Sequence, residues 1–255
     1  MKYIGITGHR GSGKATVAFL VGNILEHLRK NSDYDEIKDN FSIWCEQIKN
    51  NNNILHDTML YYVYFDEFGD VPKSFVSQLL GIDMHILDSD TLKDTMYVNL
   101  KDFSLSADVD KESIVTPDDY MESVPQNKPK LIRRLKTDTY MNLRDFMKMF
   151  SVDIMQRFFG TNVWIKSMVR YKDKYGEVDT GWRIFSDVKL GDEYQYIKTN
   201  DGVVINVQRP SNKKKERGIN NIEQSDVWDY NVFIESDVSE MFDELYKIAK
   251  DIYER

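Results

Sequence analysis

Nine residues near the N-terminus, Gly8-His9-Arg10-Gly11-Ser12-Gly13-Lys14-Ala15-Thr16, carry the groups that bind phosphate. They miss the pattern G-x-x-x-x-G-K-[ST] at one place. Ala15 stands where a magnesium-binding hydroxyl usually sits, and the hydroxyl of Thr16 follows one position late. Gly8, Gly11 and Gly13 would let the backbone come close to an anion and adopt conformations closed to other residues. The amides around Ser12 and Gly13 would then surround phosphates at a helix N-terminus, where the partial positive charge favours them, and Lys14 would bridge the β- and γ-phosphates. Two acids compete for the metal that such chemistry needs. Tyr62-Val63-Tyr64-Phe65-Asp66-Glu67 has the strand-then-Asp-Glu form of motor-type ATPases, in which the Glu activates water. Ile184-Phe185-Ser186-Asp187 also ends a strand pattern in an acid. Either acid could instead only cap its strand.

The elements around these residues are legible. Tyr3–Thr7 is a short apolar run that reads as a buried parallel strand. Lys14–Lys30 reads as a helix, with Val17, Leu20, Val21, Ile24, Leu25 and Leu28 on one stripe. The glycine loop thus lies between strand and helix, the context its chemistry requires. Further strands are expected at Leu60–Phe65, Trp182–Ser186, Val203–Val207 and Asn231–Ile234. Helices are expected at Pro72–Leu80 with Gly81 as stop, Asn142–Phe159 with Gly160 as stop, Gly191–Lys198 and Val238–Tyr253. Thr116-Pro117-Asp118-Asp119 has the composition of a helix start. Residues 31–58 read as a polar surface insertion with a short helix around Phe41–Ile48. Residues 82–130 are acidic and show no clear period, and Lys213–Arg217 is a charged loop. Strands alternating with helices predict an α/β fold with a mostly parallel sheet.

Bulk properties bound the function. With 255 residues the chain can bury a substantial core without staples. Its net charge of −8 argues against a general nucleic-acid binder and leaves room for a local basic pocket. One cysteine, Cys45, excludes an internal disulfide, and the four histidines show no metal-ligand spacing. The N-terminus lacks a signal-peptide core, and no run approaches the ~20 apolar residues of a membrane span, so a cytoplasmic protein without membrane contact is expected.

Several segments, in order from residue 3 to about 250, together resemble the deoxynucleoside monophosphate kinases typical of tailed bacteriophages. The loop of that family usually ends Gly-Lys-Asp-Thr, against Gly13-Lys14-Ala15-Thr16 here. A Phe-Ala-Asp-x-x-Lys element is similar to Phe68-Gly69-Asp70-Val71-Pro72-Lys73. An Arg-rich helix leading to an Asp is matched by Arg144 through Asp153, followed by Trp164. A strand ending Asp-x-Arg-x-x-x-Glu is matched by Asp187-Val188-Lys189 with Glu193, a valine-rich strand closing in Arg-Pro by Val203 to Arg209-Pro210, and a His-x-x-Glu element by Asn220 to Glu223. The departures are Ala15, Lys148 for a glutamine, Ser151 for a glycine, Lys189 for an arginine and Asn220 for a histidine.

The resemblance implies a P-loop, three-layer α/β fold of the nucleoside monophosphate kinase kind, a single domain over 1–255 with helical insertions. Residues about 68–165 would form a helical acceptor-binding and lid region, and 31–58 an insertion. It implies transfer of the γ-phosphate of ATP to a deoxynucleoside monophosphate with Mg²⁺, in the host cytoplasm, with dimerisation. Lys14, Arg144, Asp187 and Lys189 would be the catalytic set. Gly8, Gly11, Ser12, Gly13, Lys14, Ala15 and Thr16 would hold ATP, and Thr16 and Asp187 the metal. Lys73, Arg144, Asp153, Lys189 and Glu193 would hold the acceptor, with Arg157 and Arg209 as weaker contacts. The other readings are an ATPase using Asp66 and Glu67, and a nucleotide-binding regulator with weakened catalysis.

Overall fold

The computed structural model describes residues 1–9, 11–51, 54–117, 119, 139–168, 181–189, 191–209, 228–235 and 237–255. In chain order these form β1 (Lys2–Gly8), α1 (Lys14–Arg29), α2 (Tyr34–Asn50), α3 (Ile54–Asp57), β2 (Val63–Asp66), α4 (Asp70–Leu80), α5 (Met84–Asp88), α6 (Asp90–Thr95), β3 (Tyr97–Asn99), β4 (Leu105–Ser106) and β5 (Tyr140–Asn142). Next come α7 (Leu143–Lys148), a π-helical stretch (Met149–Gln156), α8 (Arg157–Phe159), β6 (Trp182–Phe185), α9 (Gly191–Thr199), β7 (Val203–Gln208), β8 (Tyr230–Phe233) and α10 (Phe242–Glu254), the last preceded by a 3-10 turn at Val238–Met241. Two compact units result. One comprises Met1–Phe68 with Met168–Arg255, and the other Gly69–Ser167.

The first unit is built on a five-stranded sheet in the order β2-β6-β1-β7-β8, every pairing parallel. β1 is the middle strand, and Ile4 and Ile6 are fully buried on it. That accounts for its unbroken apolar run, since a strand covered on both faces has no polar side to show. On one face lie α1, α2 and α10, sharing a core that includes Leu20, Ile24, Phe41, Trp44, Leu245 and Ile252. On the other lies α9, whose Ile197 sits so close to Gly5 that an added Cβ would come within 2.5 Å of it. This is the expected α/β arrangement with helices flanking a parallel sheet. α1 is buried on more than the predicted stripe. Phe19, Asn23 and Glu26 are buried as well, because α2 and α10 cover the side turned away from the sheet.

The segment read as a polar surface stretch with a short helix is corrected here. Its helix runs over all of Tyr34–Asn50, and Ile37, Phe41, Trp44 and Cys45 are buried in the main core. The polar composition masked an i, i+4, i+7 stripe, and Asp33 starts the helix by accepting the Glu36 amide at 2.9 Å. β2 is shorter than the aromatic run suggested. Tyr61 and Tyr62 precede it, and their amides bond to the buried Glu26 carboxylate at 3.2 and 2.7 Å.

The second unit holds α4 through α8 around a three-stranded antiparallel sheet in the order β4-β3-β5. Its own core includes Val76, Leu87, Val98, Met141, Leu143 and Phe146. α4 stops at Gly81, which takes the left-handed conformation (φ 64°) that the predicted stop requires. The single helix expected over Asn142–Phe159 is instead three joined pieces. Asn142 ends β5 and caps α7, accepting the Arg144 amide at 3.0 Å. The middle piece widens to a π-helix, where the Ser151 hydroxyl bonds back to the Met147 carbonyl at 2.7 Å and competes with the regular ladder. The unreadable acidic stretch after residue 82 resolves into α5, α6 and short strands, each too brief to show a period. At the expected helix start, the Thr116 hydroxyl accepts the Asp119 amide at 3.2 Å and the Asp119 carboxylate accepts the Thr116 amide at 3.1 Å. Asp118, Pro210, Lys213–Arg217, Asn220 and Glu223 lie outside the described residues.

Candidate phosphate-binding site

The glycine loop leaves the C-terminal end of β1 and enters α1. Gly8 has φ 142°, and a Cβ there would lie 2.1 Å from the Val207 carbonyl oxygen, so only glycine fits. Gly13 has φ 97° and stands at the N-terminus of α1 without a side-chain cap, which leaves the first-turn amides of the helix open to an anion. Ser12 is 1% exposed, and its hydroxyl has no hydrogen-bond partner. A buried unsatisfied hydroxyl is costly in a finished structure and fits a loop that closes on a ligand.

Lys14 folds back over this loop, donating to the Gly8 and His9 carbonyls at 3.0 and 3.1 Å. Its ammonium lies 3.6 Å from Oδ1 of Asp187, and that oxygen accepts no hydrogen bond. Strand pairing puts the two together. β6 runs parallel to β1 with Gly5 opposite Phe185, so Asp187 emerges two residues beyond, beside the start of the loop. The Val188 amide to the Ile6 carbonyl, 2.9 Å, and the Thr7 hydroxyl to the Val188 carbonyl, 2.8 Å, hold that segment against β1. Lys189 pairs with the other oxygen of Asp187. The Lys189 amide donates to the buried carboxylate of Glu193 at 2.7 Å, which fixes the turn into α9.

Of the residues singled out in the sequence, Gly8, Gly11, Ser12, Gly13, Lys14, Asp187, Lys189 and Glu193 lie in or adjoin this loop. Ala15 is exposed. Thr16 is two helical positions beyond Lys14, so its side chain points about 200° round the axis from the lysine. There it borders a groove of about 480 Å³ whose far walls come from α2 and from the chain after β8. Asp66, the other candidate acid, faces Arg183, with Nε 3.2 Å from its Oδ2 in a largely buried pair. Glu67 accepts the Ser186 hydroxyl at 3.1 Å. Both tie the ends of β2 and β6 together.

Arg209 borders the same groove in the first unit, and the remaining candidates belong to the second unit. The Lys73 ammonium lies 2.9 Å from Asp88 and 3.4 Å from Asp70. Arg144 presents Nε to Asp94 at 2.5 Å and Nη2 to Asp90 at 3.1 Å. Its hydrogen bond to Asp94 raises its already high pKa, so it is a permanent cation. Asp153 lies partly exposed in the π-helical stretch and Arg157 is exposed. Trp164 is buried and donates to the Ser151 carbonyl at 2.9 Å, which makes it part of the packing.

A family model described as deoxynucleotide monophosphate kinase matches residues 2–241. The chain belongs to the deoxynucleotide monophosphate kinase family. Comparison with curated proteins finds no match. Membership in this kinase family gives the loop its meaning, because a phosphotransferase must hold the phosphate it moves. Sequence reasoning missed Arg183 as the partner of Asp66, and missed the groove residues Cys45, Ile48, Lys49 and Asp237. The i, i+3, i+4, i+7 spacing of Phe41, Trp44, Cys45 and Ile48 was the signal for the second group.

Proposed function

We propose that this family member transfers the γ-phosphoryl group of ATP to a deoxynucleoside monophosphate, giving the deoxynucleoside diphosphate. The observation that carries the reading is Lys14, in a loop that only glycine can build, held beside Asp187. Phosphoryl transfer needs positioning and charge neutralisation more than covalent chemistry. Lys14 and the loop amides would bind the donor phosphates, and Lys189 would add a second cation beside Asp187. Lys73 and Arg144, each held in place by two carboxylates in the other unit, are our choice for the acceptor side.

Mg²⁺ fits the residues present. In phosphoryl-transfer sites it takes one or two carboxylates and fills its remaining positions with phosphate and water. Asp187 offers one carboxylate with an oxygen that accepts no hydrogen bond, so Asp187 would hold the ion. When bound, the ion neutralises charge on the transferring phosphate. Ala15 contributes no ligand, and Thr16 points away from Lys14, so this assignment rests on Asp187.

The reading is tested by incubating the protein with ATP, Mg²⁺ and each deoxynucleoside monophosphate and separating the products. Diphosphate is expected from at least one acceptor, and Lys14→Met is expected to lower turnover about 10³-fold, as loss of a cation on the transferring phosphate does. No diphosphate from any acceptor would overturn it. Hydrolysis of ATP without acceptor, abolished by Glu67→Gln, would instead support the ATPase reading. The ties of Asp66 to Arg183 and of Glu67 to Ser186 weigh against that reading.

A further inference from the structure

Asp187 stands two residues past the end of β6, and its carboxylate has little of its own to fix its direction. Oδ1 accepts no hydrogen bond. Oδ2 is paired with Lys189, whose side chain is 48% exposed. An exposed lysine restrains its partner weakly, because solvent and side-chain entropy both oppose the pair. The direction of the carboxylate toward Lys14 is therefore set by where the backbone around Asp187 is held.

That backbone is held on both sides by buried hydroxyls. On the β1 side, Thr7 is 5% exposed and donates to the Val188 carbonyl at 2.8 Å. On the β2 side, Ser186 is 2% exposed and donates to Oε1 of Glu67 at 3.1 Å. Strand register accounts for the first bond. Gly5 lies opposite Phe185, so two residues further on Thr7 comes level with Asp187. The Val188 carbonyl has left the ladder by then, and a buried carbonyl needs a donor. Backbone bonds run alongside, from the Ser186 amide to the Asp66 carbonyl at 3.0 Å and from the Val188 amide to the Ile6 carbonyl at 2.9 Å. Any sequence with this strand order could make those two, whereas the hydroxyl bonds need these side chains. Thr7 ends an apolar run where valine would have nearly the same shape, so filling the space does not by itself call for an oxygen.

We propose that Thr7 and Ser186 are positioning residues that hold the neighbours of Asp187 on either side and so aim its carboxylate at the metal bound with the donor phosphates. The inference rests on the kinase reading, with Asp187 as the acid that holds Mg²⁺. Both hydroxyls act through that carboxylate, since their protons are already given to Val188 and Glu67. Loss of a group that orients a metal ligand typically costs about 10- to 100-fold in metal affinity or activity.

The test is calorimetric titration of the whole protein with the β,γ-imido analogue of ATP, once with Mg²⁺ and once with EDTA. The ratio of the two dissociation constants measures the metal preference and needs no turnover. Wild type is expected to bind more tightly with Mg²⁺, and Asp187→Asn to lose most of that preference. Thr7→Val and Ser186→Ala should each lower the ratio about tenfold, the lower end of that range, with affinity in EDTA unchanged. Thr7→Ser keeps a donor and should retain the wild-type ratio. In the Asp187→Asn background Thr7→Val should lower the ratio no further, because a residue that acts through the carboxylate then has nothing to orient. If Asp187→Asn lowers the ratio while Thr7→Val or Ser186→Ala leaves it at the wild-type value, the assignment of that hydroxyl is overturned and the metal assignment stands. A full Thr7→Val effect in the Asp187→Asn background, or weakened binding in EDTA, would likewise overturn it and make the hydroxyl a support of the loop as a whole. An unchanged ratio in Asp187→Asn would overturn the metal assignment together with the inference. Failure of wild type to bind the nucleotide in either solution would overturn the kinase reading beneath both.

Discussion

Among single residues, Cys45 shows how burial changes a group that sequence could only count. It is 5% exposed on α2, and burial first, then the Asp237 carboxylate, pushes its pKa up from 9.0 to about 11. The folded chain thus keeps a proton that the unfolded chain has lost. Stability from this thiol is full below pH 9 and declines as pH rises toward 11. The loss over that window should be on the order of 2 kcal/mol. Urea midpoints at pH 8.5 and 10.5 test it: wild type should lose more stability across that interval than Cys45→Ala. An equal loss in both would mean that the thiol titrates as an ordinary one. Lys189 is the other instructive residue. An arginine there would offer a flat fork suited to phosphate, whereas this lysine delivers a point charge that already pairs with Asp187. The resemblance pointed to this position, and the structure puts the cation at the loop.

Among elements, the periodic ones were legible and the short or doubly covered ones were not. β1, α1, β6, α9, β7, β8 and α10 fall within a few residues of their predicted spans because each has one dominant environment. Loop and carboxylate were legible for the same reason, since Gly8–Lys14 and Asp187 sit at the ends of such elements. α2 was expected only as a short helix around Phe41–Ile48, because its buried stripe is narrow amid polar residues, and the groove escaped with its full length. α5, α6 and the small antiparallel strands lack the length for any period to show. The pairing of Asp66 with Arg183 joins adjacent strands distant in sequence, which no local pattern reveals. Glu26 is another long-range case. It is 1% exposed on α1, takes the Tyr61 and Tyr62 amides and pairs with Lys30 at 3.0 Å. It thereby fixes where β2 begins. Glu26→Gln would turn an amide donor toward one of those donors and strip Lys30 of its partner. The expected cost is about 2–3 kcal/mol, a fall in melting temperature of roughly 5–10 °C. A shift below 1 °C in a thermal melt would show that β2 is anchored elsewhere.

In the whole molecule, the residues assigned to the two substrates fall in different compact units, and their effects should separate. The loop and Asp187 belong to the unit made of Met1–Phe68 and Met168–Arg255, whereas Lys73 and Arg144 belong to Gly69–Ser167. The chain carries a net charge of −8 while both proposed substrates are anions, so binding must depend on local cations that outweigh the overall field. Arg144 is the best placed of these in the second unit. Asp94 takes its Nε proton, and the carboxylate and carbonyl of Asp90 take its Nη2 protons, which holds the guanidinium plane. Arg144→Ala should therefore lower kcat/KM for the deoxynucleoside monophosphate about 30- to 100-fold, the worth of a charged hydrogen bond to a dianion, and leave the Kd for ATP unchanged. Arg144→Lys should recover only part, since a point charge replaces a held plane. Steady-state kinetics with the acceptor varied at saturating ATP, alongside direct ATP titration, separates the outcomes. Weakened ATP binding in Arg144→Ala would place this arginine on the donor side, and unchanged kinetics would reduce the Asp90–Asp94–Arg144 cluster to a tie between α6 and α7.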